Sequence, residues 1–418
     1  MSSILRVSLL LVPLLSLLLY NQTPQLATLV GRVEIDKTRL VRWANSSALN
    51  NHDCQVVRAA NACEDVKIHF PSHTAFLSCG DPVERTHWYP CAGVRTVSRR
   101  AESSFREQLF KHDLDTGVTT ELRIEGLEGD FITHGIDIFP LPEDPSRIHI
   151  FAVNHARSGD SIAVFAHTLG SDVVELVKNI KHPNIKTANG VAATGPLAFF
   201  VTNDHYFAGG PLRTVEEMLG PFSWATNVQY CNAAAEAEAE ADDSTTIRCR
   251  QVSGTFPGAN GINVWEDRLY VGDSKNGTVT VFEIQGDKSL TYLQTVDLGA
   301  AADNINIVPS TGDLIVAVFP TLEDLPAYLE NVRALGKDFL VPAAALRLRR
   351  ATNYTPELIY FDDGSNLSFM TAAHVFNDLF TEEQKKEKKE KKEKKEKKEK
   401  KEKKEKKEKK EKKKLRLH

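Results

Sequence analysis

The chain has 418 residues, with 52 Lys and Arg against 56 Asp and Glu, a formal net charge of −4. The charges are segregated. Residues 385–418 hold 22 basic and 9 acidic residues, a net of +13, leaving 30 basic and 47 acidic residues before them, a net of −17. With 41% hydrophobic residues, a wholly disordered chain is excluded. An acidic body repels phosphate, which argues against nucleic acid as the main ligand and suits a protein that holds cations.

In chain order, one positive charge precedes the apolar run Val7–Tyr20. Its length is that of a signal-peptide core and short for a membrane span. Residues 1–20 are therefore expected to be a cleaved signal or a retained hydrophobic anchor helix. Six cysteines follow, at 54, 63, 79, 91, 231 and 249, none in a CxxC pair. Zinc and thioredoxin-like readings are accordingly weak, and the absence of a Cys/His constellation argues against zinc or copper. Cys79/Cys91 and Cys231/Cys249 are each close enough to close a short loop. Sequons at Asn21, Asn45, Asn276, Asn353 and Asn366 add to a secretory-pathway expectation: a disulfide-containing glycoprotein, secreted or membrane-anchored on the lumenal side.

From Glu64 a pattern recurs in which a polar or acidic head precedes alternating apolar residues. It runs through Glu64–Phe70, His134–Phe139, the run starting at Asn189, Asn260–Trp265 and Asp303–Val308, with a weaker sixth start at Thr371–Phe376. Each start is followed by further period-two runs, such as Ile148–Val153, Arg268–Gly272 and Asp313–Val318. Alternation between Gly, Asp, Asn and Pro turns reads as antiparallel strand. Short helices are expected only at Leu212–Leu219 and Leu325–Ala334. Irregular repeats of this length indicate an all-β, six-bladed β-propeller over residues 21–384, with the polar heads at one mouth of a central channel. A β-sandwich is the alternative.

If the strand starts converge, Glu64, Asn189, Asn260, Asp303 and Asn304 form a shell of hard oxygen donors suited to calcium. A lone Asn-Gly is first of all a turn former, so the inference rests on the set. His134 heads one inner strand and His155 ends the next run. Two neutral imidazoles beside a metal suit proton abstraction from water, while the metal polarises a carbonyl. No GxSxG, GxGxxG or Walker loop occurs, so serine hydrolysis and nucleotide binding have no support.

The stretches Cys63–Phe70, Thr133–Phe139, Phe151–Gly159, Phe200–Phe207, Gly258–Val264 and Asp303–Val316 resemble the serum paraoxonase/arylesterase family. The resemblance covers roughly Cys54–Phe376. It implies a calcium-dependent six-bladed propeller that hydrolyses small-molecule lactones and esters. By position it implies a catalytic calcium on Glu64, Asn189, Asn260, Asp303 and Asn304, with His134 as general base and His155 relaying the proton. Asp303 is an alternative nucleophile or base, and Asp204 and His205 lie near the site. The resemblance also implies an uncleaved hydrophobic N-terminus and hence possible membrane attachment. A non-catalytic ligand-binding propeller is the runner-up reading. A propeller of the gluconolactonase or strictosidine-synthase type would lack the VNH and TNDHYF stretches.

Three departures stand out. The family's second, structural calcium uses an Asp where this chain has Gly190; Asp65 and the carbonyl of Ile136 remain, so that site is expected to be weak or empty. Phe319 stands where the family commonly has His, which implies a different substrate pocket. Lastly, a Lys-Lys-Glu repeat begins where the family has a last strand and a terminal Cys, which leaves Cys54 without its expected partner. The repeat itself reads as a solvated segment, a polybasic arm or a replacement of that terminus.

Overall fold

A computed structural model describes residues 31–95, 105–233, 247–334 and 340–376. The expected hydrophobic N-terminal segment, the Ala-Glu insertion near residue 240 and the Lys/Glu tail lie outside the described residues.

Strand-forming runs build five four-stranded antiparallel meanders. The first contains Asp65–His69, Thr74–Cys79, Gln108–Asp113 and Thr119–Glu125. The second runs Thr133–Pro140, Arg147–Ala156, Gly159–Thr168 and Val173–Ile180. Their outer strands pair in parallel at Arg123–Glu125 and Val173–Glu175, which fuses the two into one eight-stranded sheet. The third, fourth and fifth begin at Ala188–Gly195, Ala259–Trp265 and Ala301–Val308. The first strands of successive meanders pack side by side, and hydrophobic clusters fill the spaces between sheets. This is propeller architecture. Phe151 tilted against Phe199 and Phe256 edge-on to Phe282 join neighbouring sheets. The two expected helices are present as Gly210–Leu219 and Leu325–Arg333.

The sixth repeat start behaves differently. Residues 371–376 are not in a strand. Thr371 and Ala373 bridge the fifth and first sheets instead: Asn304 N donates to Thr371 O (3.1 Å), Thr371 Oγ1 to Glu64 O (2.7 Å) and Asn306 Nδ2 to Ala373 O (2.9 Å). The described residues thus supply five regular blades, and the sixth, expected to be incomplete, is not a regular sheet among them. On the outer rim, the segment before the first strand is tied down by Leu49, which exchanges backbone hydrogen bonds with Phe361.

Four of the five inner strands, all but Asp65–His69, share one irregularity. Register shifts fall at Thr133/Ile136, Ala188/Val191, Ala259/Ile262 and Ala302/Ile305. A bulge re-aims the residues it contains. In each case it contains the polar head: His134, Asn189, Asn260 or Asp303. The glycines that follow are therefore not turn residues. A Cβ on Gly135 would lie 2.6 Å from Asn189 O, and one on Gly261 2.4 Å from Asp303 O. Each hydrogen in place of a side chain lets the next blade's carbonyl approach the axis.

Candidate active site

The polar heads line one axial cavity of about 810 Å³, which contains Glu64, His134, Asn189, Asn260 and Asp303. Asn304 joins them from the next position, with Nδ2 donating to Glu64 O (3.0 Å) and Oε1 (2.7 Å). All six are buried or nearly so. Three of their oxygens, Glu64 Oε2, Asn189 Oδ1 and Asn260 Oδ1, are buried without a hydrogen-bond partner. Such orphan acceptors are costly in a folded interior unless something binds them. Burial pushes the Asp303 carboxyl well above the ordinary range, and the neighbouring Glu64 adds to the rise.

Asp65 and Ile136 are placed otherwise. Asp65 Oδ1 accepts from Val66 N (2.8 Å) and Oδ2 from Ile136 N (3.0 Å). The buried ammonium of Lys67 lies 3.4 Å from Asp65 Oδ2 and donates to Asn306 Oδ1 (2.9 Å) and Ile305 O (3.4 Å). Burial lifts Asp65 to about 7. Neither Asp65 nor Ile136 lines the cavity.

The two histidines meet. His134 Nδ1 and His155 Nε2 are 3.0 Å apart. Their outer nitrogens face carboxylates: His134 Nε2 lies 3.2 Å from Glu64 Oε1, and His155 Nδ1 lies 3.1 Å from Asp160 Oδ1 in an off-axis contact. Burial alone would lower both imidazoles. Cys91 and Glu64 outweigh it at His134, which rises well above its ordinary value, and Asp160 lifts His155 to about 10. Asp160 sits directly across the hairpin from His155, in a register fixed by the tight turn between Ala156 and Gly159. Asn154 fixes the other side. Its Oδ1 accepts from Ile132 N and its Nδ2 donates to Asp130 O, both at 2.9 Å. That clasp holds the loop entering the His134 strand. Asp204 and His205 also line the cavity and pair with each other at 2.8 Å.

The cysteines correct two expectations. Cys79 pairs with Cys63, not Cys91. The hairpin ladder, extended by Glu64 N to Ser78 O (2.8 Å), draws Cys63 alongside Cys79, while the chain past Cys79 leads Cys91 to the axis. Cys231–Cys249 is bonded as expected, across paired strands. Cys54 and Cys91 carry no disulfide. Cys91, His134 and His155 bring their ligand atoms within 4.8 Å of one another, so a Cys/His constellation does exist among the described residues. No sequence spacing announced it. Asp160, by contrast, was readable by pairing His155 across a two-residue hairpin loop.

An arylesterase family model matches residues 47–380. The chain belongs to the arylesterase family. Serum paraoxonase/arylesterase 2 of Rattus norvegicus is 30% identical over 359 residues, 84% of this chain and 92% of that protein. The Gallus gallus protein of the same name is 31% identical, covering 82% and 88%. Among solved structures, the periplasmic gluconolactonase of Pseudomonas aeruginosa is 14% identical over 73% of each chain, with a TM-score of 0.39. In this member of the arylesterase family part of the cavity wall is aromatic. Phe319 stacks on Phe369 at 4.3 Å between ring centroids, and Tyr328 stacks on Phe369 at 5.3 Å.

Proposed function

We propose that this chain is a calcium-dependent hydrolase of carboxylic esters and lactones. The observation that carries the metal is the set of orphan oxygens: Glu64 Oε2, Asn189 Oδ1 and Asn260 Oδ1 are buried, unpaired and hard. Asp303 and Asn304 complete the shell from the neighbouring blade. Calcium there supplies Lewis acidity for a substrate carbonyl. The chain's own residues handle the proton. A cation held by Glu64 would offset the carboxylate charge that helps raise His134, and the His134 Nε2 so freed of its proton would take one from water. Its Nδ1 passes one to His155 Nε2, 3.0 Å away, and Asp160 steadies the charge that forms on His155. The Phe319–Phe369–Tyr328 stack gives the acyl or aryl part of a substrate an apolar wall.

The reading extends to the second metal and to the compartment. Gly190 removes one carboxylate and Lys67 places an ammonium beside Asp65, so one calcium per chain is the expected complement. Two disulfides fit an oxidising compartment, and we assign the chain to the secretory pathway. No helix of the described residues is long and apolar enough to cross a membrane.

The test is turnover of an aryl acetate and an aliphatic lactone before and after chelation. Chelation abolishes both activities and added calcium restores them. His134→Gln lowers kcat by about 10²–10⁴-fold, the usual contribution of a general base. Activity indifferent to chelator would refute the metal's role.

A further inference from the structure

Cys91 reaches the axial cavity from a small hairpin, Trp88–Tyr89 with Val94–Arg95, that belongs to none of the five blades. The hairpin is fastened to the site it enters. Trp88 Nε1 donates to His155 O (2.8 Å), and the Tyr89 ring packs on both imidazoles at 5.3 and 6.1 Å. The Cys91 sulfur and one ring nitrogen each of His134 and His155 lie within 4.8 Å of one another. Glu64 and Asp160 face the outer nitrogens, and the inner ones, His134 Nδ1 and His155 Nε2, face each other at 3.0 Å, which leaves them as the donors a cation beside the sulfur would take.

One thiol and two imidazoles are borderline-soft donors. They differ in kind from the all-oxygen set on Glu64, Asn189, Asn260 and Asp303. A carboxylate behind each metal-facing histidine is the usual outer layer of a zinc site, fixing the tautomer and orienting the ring. The inner nitrogens stand 3.0 Å apart; bonds of ~2.0 Å in a tetrahedron need roughly 3.3 Å, so the rings open by about 0.3 Å. Three protein donors with the fourth side on an open cavity is the arrangement of a site that keeps a position for an outside ligand.

We propose that Cys91, His134 and His155 bind a divalent transition-metal cation, zinc foremost, at a site separate from the oxygen ring. Binding releases the thiol proton and the proton shared by the two imidazoles. The consequence for activity rests on the water-activating role proposed above. A metal that takes both inner lone pairs stops the relay, so zinc switches hydrolysis off while calcium stays bound.

The experiment is a cobalt(II) titration of the calcium-loaded full chain carrying Cys54→Ser, which removes the exposed thiol. One Co²⁺ binds per chain with a thiolate-to-metal charge-transfer band in the near ultraviolet, and Zn²⁺ displaces it. Cys91→Ala in that background loses the band and the bound cobalt but retains calcium in equilibrium dialysis, which shows that the fold and the oxygen ring survive. Asp160→Asn weakens cobalt by about 10–100-fold, as loss of an outer-layer partner does. A band that survives Cys91→Ala, no band at all, or cobalt that displaces calcium one for one overturns the proposal. Zinc that binds as described yet leaves ester turnover intact upholds the site and removes the relay.

Discussion

Gly261→Ala is the sharpest probe of how the bulged inner strands build the site. Gly261 follows Asn260 and has an ordinary negative φ, so its requirement is space. An alanine Cβ there would lie 2.4 Å from Asp303 O, 2.6 Å from Asn304 Cα and 3.0 Å from Ile305 N, all backbone atoms. Reaching even a 3.0 Å contact with the carbonyl drives the fourth and fifth sheets about 0.6 Å apart at the axis. No side chain can swing away to relieve it. Overpacking of this kind costs about 1–3 kcal/mol, which lowers the melting temperature by roughly 1–4 °C in a protein of this size. The displaced residues are Asp303 and Asn304, so the proposed calcium shell loosens with the strand. Misplacement approaching 1 Å at a reacting centre costs on the order of 10²-fold in rate. The assay pairs thermal unfolding with ester turnover at saturating calcium. Gly286→Ala is the control, because a Cβ there meets nothing within 4 Å. If Gly261→Ala melts and turns over like the control, the bulges do not set the axial spacing and the reasoning fails.

Three further outcomes are expected. Dialysed protein holds one calcium per chain by elemental analysis; two would show that the Lys67 ammonium does not replace a second ion beside Asp65. Burial lifts buried Asp273 to about 6 from 3.8, so its proton is held more tightly folded than unfolded and stability falls as pH rises from 3.8 to 6. Asp273→Asn, which keeps an acceptor for Lys275 N and Asn276 N, therefore stabilises by up to ~3 kcal/mol at pH 7 and little at pH 4 in urea titrations, and an equal effect at both pH values would contradict this. Replacing Cys63 and Cys79 together by alanine opens a loop with a separation of 16 residues and costs about 3 kcal/mol. The same change weakens calcium binding because Glu64 adjoins the bridge, and unchanged affinity in a dialysis measurement would separate the disulfide from the site.

The strand starts were legible because the repeat is written twice, once in the apolar alternation and once in the polar head before it. Glu64, His134, Asn189, Asn260 and Asp303 converge for that reason. The alternation misleads in one respect. In Asp65–His69 the buried positions are Asp65, Lys67 and His69, while Val66 and Ile68 are only partly buried. An innermost strand turns one face to the channel, so its polar residues count as interior. Lys67 reads as a solvated lysine for that reason and proves to be an axial cation. Thr371–Phe376 carries the same sequence cue without becoming a strand. Its carbonyls accept from Asn304 and Asn306 and the Thr371 hydroxyl donates to Glu64 O, leaving a bridge between blades. Cys91 lies in a hairpin outside the repeat, where periodicity has nothing to say.

The acidic excess of the body acquires a location at the axis. Glu64, Asp65 and Asp303 are buried there, and Asp137 faces the Lys67 ammonium, while Arg85 and the raised His134 stand beside Glu64. Without a metal the deficit is met by protons. Burial raises Asp303 well above its ordinary value and Asp65 to about 7, while Glu64, favoured by His134, stays below. The proposed calcium must therefore displace a proton from Asp303, and its affinity rises with pH through the range where that carboxyl ionises. Lys67 relieves Asp65 and Asp137 without reaching the orphan oxygens on Glu64, Asn189 and Asn260. Those oxygens cannot be satisfied by protonating Asp303, because an amide oxygen or a carboxylate lone pair needs a donor or a cation in front of it. The axial ring is thus balanced in charge by protons but still leaves oxygens that need a donor or a cation, which is why the donor set, more than the net charge, supports the calcium we propose.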